Sequence, residues 1–129
     1  MRKKNLNKID LLILLAIIFV FIISCSRKEK ITGDITPPVI SNVQAINVGA
    51  TQATITWIID EPATSQVEYQ QGVIPVIITT PEDLNLVTNH SVDLRDLPPS
   101  WACNYRVRSK DAAGNLSVSN VYIFSTTSD

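Results

Sequence analysis

The side chains able to do chemistry in this chain are few, and they stand apart. Carboxylates fall in three close groups: Asp60-Glu61, Glu82-Asp83, and Asp93 with Asp96. Paired acids can share a proton in acid–base catalysis or offer oxygen ligands to a hard cation such as calcium. Each group lies in or beside a turn-forming stretch, where acidic residues stand in solvent by default. Asp111 with Asn115, or Glu82 with Asp83, could offer oxygens to calcium, but two side chains are too few for a site. His90 is the single histidine, and Cys25 and Cys103 are the two cysteines. That set builds no zinc cluster and no nucleophile with an evident base. The sequence therefore predicts no catalytic residue, no metal and no cofactor.

The N-terminus carries an address. Arg2, Lys3, Lys4 and Lys8 precede an unbroken apolar run from Leu11 to Ile23, and small Ser24 and Cys25 close it. A basic, apolar, small-residue order reads as an export signal outside the fold. The run is 13 residues long, short of the roughly 20 that cross a bilayer. Ile22-Ile23-Ser24-Cys25 resembles a bacterial lipobox. The resemblance implies a diacylglycerol on the Cys25 thiol, cleavage after Ser24, and acylation of the new N-terminus. More than one acyl chain makes a stable membrane anchor. Ser26, where an aspartate would retain Gram-negative lipoproteins at the inner membrane, implies the outer membrane. An uncleaved single N-terminal anchor and simple secretion are the alternatives.

Removing residues 1–24 leaves 105, enough for one small domain. That part carries seven Lys/Arg against eleven Asp/Glu. A mildly acidic domain has no electrostatic footprint for nucleic acid. With Cys25 taken by lipid, Cys103 is left alone in an oxidising compartment, where burial would keep it inert.

The remaining residues must form the frame. Residues 25–36 read as a polar tether. Pro37-Pro38 opens an extended segment, and short β-prone runs broken by turn residues follow, the spacing of an all-β sandwich or barrel. The expected strands are Val39–Asn47, Ala53–Ile58, Ser65–Gln70, Val73–Ile78, His90–Leu94, Ala102–Lys110 and Ser119–Thr126. Ala53, Ile55 and Trp57 alternate with Thr54 and Thr56, which puts the apolar trio on one face. Val67, Tyr69, Val92, Leu94, Cys103, Tyr105, Val107, Tyr122 and Phe124 are expected inward. Arg106, Arg108 and Lys110 are expected on the outer face of their strand. Asp60–Ala63 reads as a turn, Gln71-Gly72 as a hairpin, and Thr79–Asn89 as a loop. Pro75 lacks a ladder donor, so its strand should be an edge.

In this order the residues resemble a fibronectin type III domain over about Pro37 to Thr127. Pro37-Pro38-Val39-Ile40 resembles its opening, and Trp57 its second-strand core tryptophan. Leu97-x-Pro99 leading into Tyr105-Arg-Val107, and Asp111-Ala-Ala-Gly-Asn115 before the last strand, are also similar. The resemblance implies an immunoglobulin-like β-sandwich of about seven strands. One position departs from it. Cys103 stands where the family places a corner tyrosine, so the hydroxyl bond to the turn is missing. Trp101, two residues earlier, either covers the open end of the sandwich or is an exposed aromatic anchor for a partner.

The resemblance implies a non-catalytic binding or spacer module, anchored by its N-terminal lipid, with an unknown protein or glycan partner. Its candidate binding loops, both at one end of the sandwich, carry Asp60, Glu61 and Pro62 in the first and Asp111 and Asn115 in the second. The alternative is an accessory domain of an enzyme. Asp60-Glu-Pro-Ala-Thr-Ser-Gln-Val-Glu-Tyr69 resembles the N-terminal domain of purple acid phosphatases, whose metal ligands lie in another domain. An accessory domain of a carbohydrate-active enzyme belongs to the same alternative.

Overall fold

The computed structural model describes residues 33–71 and 76–128. The apolar run, Cys25, the tether as far as Thr32, and the expected turn at Gly72 with Pro75 lie outside them. Residues Gly33–Asp129 form one compact unit.

Among the described residues, seven strands make an all-β fold, and every pairing is antiparallel. They are β1 (Ile40–Ile46), β2 (Ala53–Gln71), β3 (Val76–Thr79), β4 (Asp83–Leu94), β5 (Ala102–Lys110), β6 (Leu116–Val118) and β7 (Tyr122–Ser125). The first sheet is β1-β2-β4. In the second, β2 lies between β3 and β5, and β5 also pairs with β6 and β7. β3 pairs with β2 alone, which leaves it an edge.

The long β2 belongs to both sheets. Its pairing with β4 shifts register between Ile58 and Ala63 and again between Ala63 and Ser65. The turn expected at Asp60–Ala63 is therefore a crossing inside one strand. Bulged residues bend the chain there from one sheet to the other, and Pro62 sits where no ladder donor is needed. In β1, Asn42 has φ 50°, at the shift between Ser41 and Gln44. A left-handed residue there makes a bulge, a conformation asparagine tolerates.

Two further expectations need correction. The loop expected over Thr79–Asn89 is mostly strand, because β4 starts at Asp83 and pairs Ser65↔Asp83 and Ala63↔Val87. Its early apolar residues Leu84, Leu86 and Val87 are exposed, so no inward alternation announces it. The last strand, expected over Ser119–Thr126, is shortened to β7, and the short β6 precedes it, the two parted at Ser119. The Ser119 amide donates to the Val107 carbonyl at 3.0 Å, and its hydroxyl accepts the Val107 amide at 3.0 Å. Tyr122 keeps the expected face beside Tyr105, with ring centroids 5.8 Å apart, but at 38% exposure it lies at the rim of the core, while Phe124 is buried.

The core follows the predicted alternation. Ala53, Ile55, Trp57 and Ile59 of β2 face Val67 and, from other strands, Leu94, Cys103, Tyr105 and Val107. Burying side chains of this size contributes roughly 1.5–3 kcal/mol each. The Trp57 indole nitrogen donates to the Ser109 hydroxyl at 3.0 Å, which satisfies its polar atom inside the core.

The corner is closed by a different residue. Cys103 is buried, and its thiol points at the Gln70 carbonyl, 3.4 Å away. Thr126, also buried, takes over the missing tie. Its hydroxyl donates to the Pro98 carbonyl at 2.6 Å and accepts the Trp101 amide at 2.8 Å. One side chain thus fastens the turn before β5 to the end of β7.

Candidate functional site

The two candidate loops meet at one pole. The β2 crossing carries Asp60, Glu61 and Pro62, and the hairpin after β5 carries Asp111 to Asn115. An isolated bridge between Ala63 and Asp111 joins them. Gly114, with φ 93°, lets the hairpin close. Its amide donates to the Asp111 carbonyl at 3.2 Å, and the Asp111 amide to the Asn115 carbonyl at 3.1 Å.

Asp111 organises the hairpin from within. Its carboxylate accepts the Asn115 amide at 2.8 Å and the Asn115 side-chain nitrogen at 2.7 Å. Desolvation pushes the Asp111 carboxyl up, but those bonds and the amides of Ala113 and Gly114 outweigh it and hold it below its ordinary range.

The N-terminal segment is laced into the same pole. The Asn115 side chain also donates to the Asp34 carbonyl at 3.1 Å. The Val39 amide donates to the Asp60 carboxylate at 2.7 Å, and the Ser117 hydroxyl bonds the Pro38 carbonyl. As a result, carboxylate oxygens of Asp34, Glu61 and Asp111 lie within 4.8 Å of one another. The Glu61 carboxyl is raised, first by desolvation and then by the charges of Asp111, Asp34 and Asp60. Asp34 is a participant that sequence reading missed, because only the fold brings it beside the loops. Calcium takes six to eight oxygens, and three carboxylates, one already held by hairpin amides, fall short of a cation site.

The other carboxylates lie elsewhere and have structural partners. Glu82 accepts the Thr64 hydroxyl at 2.9 Å and the Lys110 ammonium at 3.2 Å. Asp83 holds Asn85 through its amide at 3.0 Å and its side chain at 2.8 Å. Asp93 accepts Thr54 at 2.9 Å and Arg95 at 3.1 Å. Trp101 is partly buried against the core, and its indole nitrogen is buried with no hydrogen-bond partner among the described residues.

One pair has the outline of a nucleophile with its base. The Ser65 hydroxyl lies 2.7 Å from His90 Nδ1. Both residues are buried, at 5% and 3% exposure. The His90 ring lies flat on Trp57, with centroids 4.7 Å apart and planes 5° apart. Burial lowers the His90 pKa against the opposing pull of the Val87 carbonyl and Asp83. Such a hydroxyl–imidazole contact can activate a nucleophile only where substrate reaches it. Here the pair is sealed in the core, where it fastens β2 to β4.

No protein-family model matches the chain, and no curated protein matches it. Solved structures do resemble it. The fibronectin type III domain of human fibronectin type III domain containing protein 3 superposes with a TM-score of 0.58 at 16% identity, covering 76% of this chain and 94% of that one. The third fibronectin III domain of the human KIAA0343 protein gives a TM-score of 0.57 at 19% identity, covering 81% and 94%. The sensor domain of the anti-sigma factor RsgI4 of Pseudobacteroides cellulosolvens gives 0.54 at 17% identity, covering 70% and 90%. With the two sheets and strand order described above, these likenesses establish that the chain has the fold of a fibronectin type III domain.

Proposed function

We propose that the chain is a lipid-anchored cell-envelope module that binds or spaces and does not catalyse. The observation that carries this reading is the lacing of the N-terminal segment into the loop pole through Asp34, Pro38 and Val39. A tether leaving this domain is fastened to the same loops that a sandwich offers to partners. Force or position set by an anchor at Cys25 is thereby passed to a rigid two-sheet frame. The potentially reactive groups support the same reading. Ser65 and His90 are enclosed, and the carboxylates of Glu82, Asp93 and Asp111 are committed to structural bonds.

On this reading the thiol of Cys25 carries the lipid, and the protein sits in the bacterial envelope, at the outer membrane. Its partner is a protein or a glycan, and not nucleic acid. Membrane fractionation of the chain beside a Cys25→Ser variant tests the anchor. The reading expects wild type in the membrane pellet and the variant unprocessed. Wild type found wholly in the soluble fraction contradicts it.

A further inference from the structure

The outer face of the second sheet has a chemistry that the loop pole lacks. Register sets Ile77 of β3 beside Gln70 of β2, and Asn104 of β5 beside Ile123 of β7. Gln70 and Asn104 are themselves joined, side chain to side chain, at 3.0 Å. One row therefore runs Ile77, Gln70, Asn104, Ile123. The next runs Thr79, Glu68, Arg106. Val121 flanks this row and lines, with Ile77 across from it, an open groove of about 300 Å³ floored by Glu68, Gln70, Asn104 and Arg106. Ile77, Val121 and Ile123 are each 64–65% exposed. Aliphatic side chains exposed together on both sides of one groove mark an interaction surface better than scattered ones do.

Charge is sorted onto the same face. Between residues 33 and 128 the chain has four basic side chains against nine acidic ones. Three of the four, Arg106, Arg108 and Lys110, stand in one column on β5. Glu68, only 6% exposed, accepts Arg106 Nε at 2.5 Å and is also bonded by Arg108 Nη1. One carboxylate between two guanidiniums leaves a positive charge uncompensated. Arg106 is 43% exposed at its side chain, and a guanidinium has donors beyond the one Glu68 uses. Arginine is among the residues enriched at protein interfaces.

We propose that this face docks a polypeptide segment carrying a carboxylate between aliphatic side chains. The carboxylate meets Arg106, and the aliphatics lie on Ile77 to one side and on Val121 and Ile123 to the other. The two ridges are three inter-strand spacings apart, roughly 14 Å. A polypeptide spans that width with side chains reaching both ridges, and a small carboxylate does not. The acidic remainder of the domain repels the same segment elsewhere, so the charge pattern selects this face. The inference rests on the binding-module reading and is independent of the anchor.

The test uses the detergent-solubilised full chain and a fluorescent, capped pentapeptide Val-Ser-Glu-Ser-Val, whose first, third and fifth side chains share one face of an extended chain over roughly 14 Å, read by anisotropy. The expected result is saturable binding that weakens with added salt. A peptide with lysine in place of glutamate should bind at least tenfold more weakly. Arg106→Glu should also weaken binding at least tenfold, and Arg106→Lys should retain part of it, with circular dichroism confirming that both are folded at the assay temperature. Arg95→Glu, at an exposed arginine away from this face, should leave it unchanged. The proposal is overturned by absence of saturable binding, by equal binding of the lysine peptide, or by sensitivity to Arg95→Glu but not to Arg106→Glu. Concentration-dependent self-association that blocks the peptide assigns the face to a second copy and equally overturns it. None of these outcomes bears on Cys25, so failure here and failure of the anchor are separable.

Discussion

Trp57 and His90 are cross-strand partners whose rings lie parallel, 4.7 Å apart, in the middle of the first sheet's inner face. The contact makes the lone histidine a core residue. It also explains how a potentially reactive imidazole is tolerated there: one face is covered by indole, and Nδ1 is held by the Ser65 hydroxyl at 2.7 Å. Trp57 in turn donates to Ser109. Four side chains from three strands thus form one buried polar and aromatic knot.

Trp57→Ala removes the largest side chain of that knot. Loss of roughly 3–5 kcal/mol is expected for a large aromatic truncated in a packed core. Urea unfolding followed by circular dichroism measures it. A loss below about 1 kcal/mol would mean that the indole is not a core element, at odds with the usual cost of core truncation.

His90 makes stability depend on pH. Its folded pKa is depressed, chiefly by burial. The neutral ring is therefore the stable form, and the contribution is complete above the unfolded value of about 6.5. It is lost as pH falls from there through the folded pKa. His90→Phe keeps a ring against Trp57 and removes the titration. Melting temperatures between pH 7.5 and 5 should fall more steeply for wild type than for the variant. Parallel slopes would show that His90 does not titrate against folding.

These residues show what the sequence made legible. Alternation along Ala53, Ile55 and Trp57 announced the inner face, and the buried set follows it. The same rule was blind to the first half of β4, since Leu84 and Leu86 are exposed and held by backbone pairing to β2. It placed Tyr122 on the inner face, where it lies against Tyr105, but a period of two does not show that this position falls at the rim of the core. Asp34 reaches Glu61 and Asp111 only through the fold. Thr126 at the corner carries no local signal, since a threonine near a strand end is ordinary until its partners are seen.

Thr126→Val tests that corner. The substitution keeps the shape and deletes the hydroxyl, leaving the Trp101 amide and the Pro98 carbonyl without their partner. Unsatisfied buried groups cost about 1–3 kcal/mol. Denaturant titration should show a loss in that range, and faster amide exchange at Trp101. Unchanged stability would mean that the turn before β5 is held by other contacts.

Glu61 is expected to work against the fold at neutral pH. Its pKa is raised by desolvation and by the carboxylates around it, so its destabilising effect is absent below its ordinary value of about 4.3 and develops as pH rises through the folded pKa. Glu61→Gln should raise the melting temperature at pH 7 and leave it unchanged near pH 4. A gain of equal size at both pH values would assign the effect to something other than charge.

Lipid on Cys25 is proposed to hold this sandwich to the envelope, where it works as a binding or spacing module. Intact mass of the protein purified from membranes tests it most directly. The expected mass is that of a chain beginning at Cys25, lacking residues 1–24 and heavier than its sequence by the acyl groups. A mass matching the full chain from Met1, without added lipid, would contradict the claim and make Leu11–Ile23 the anchor itself.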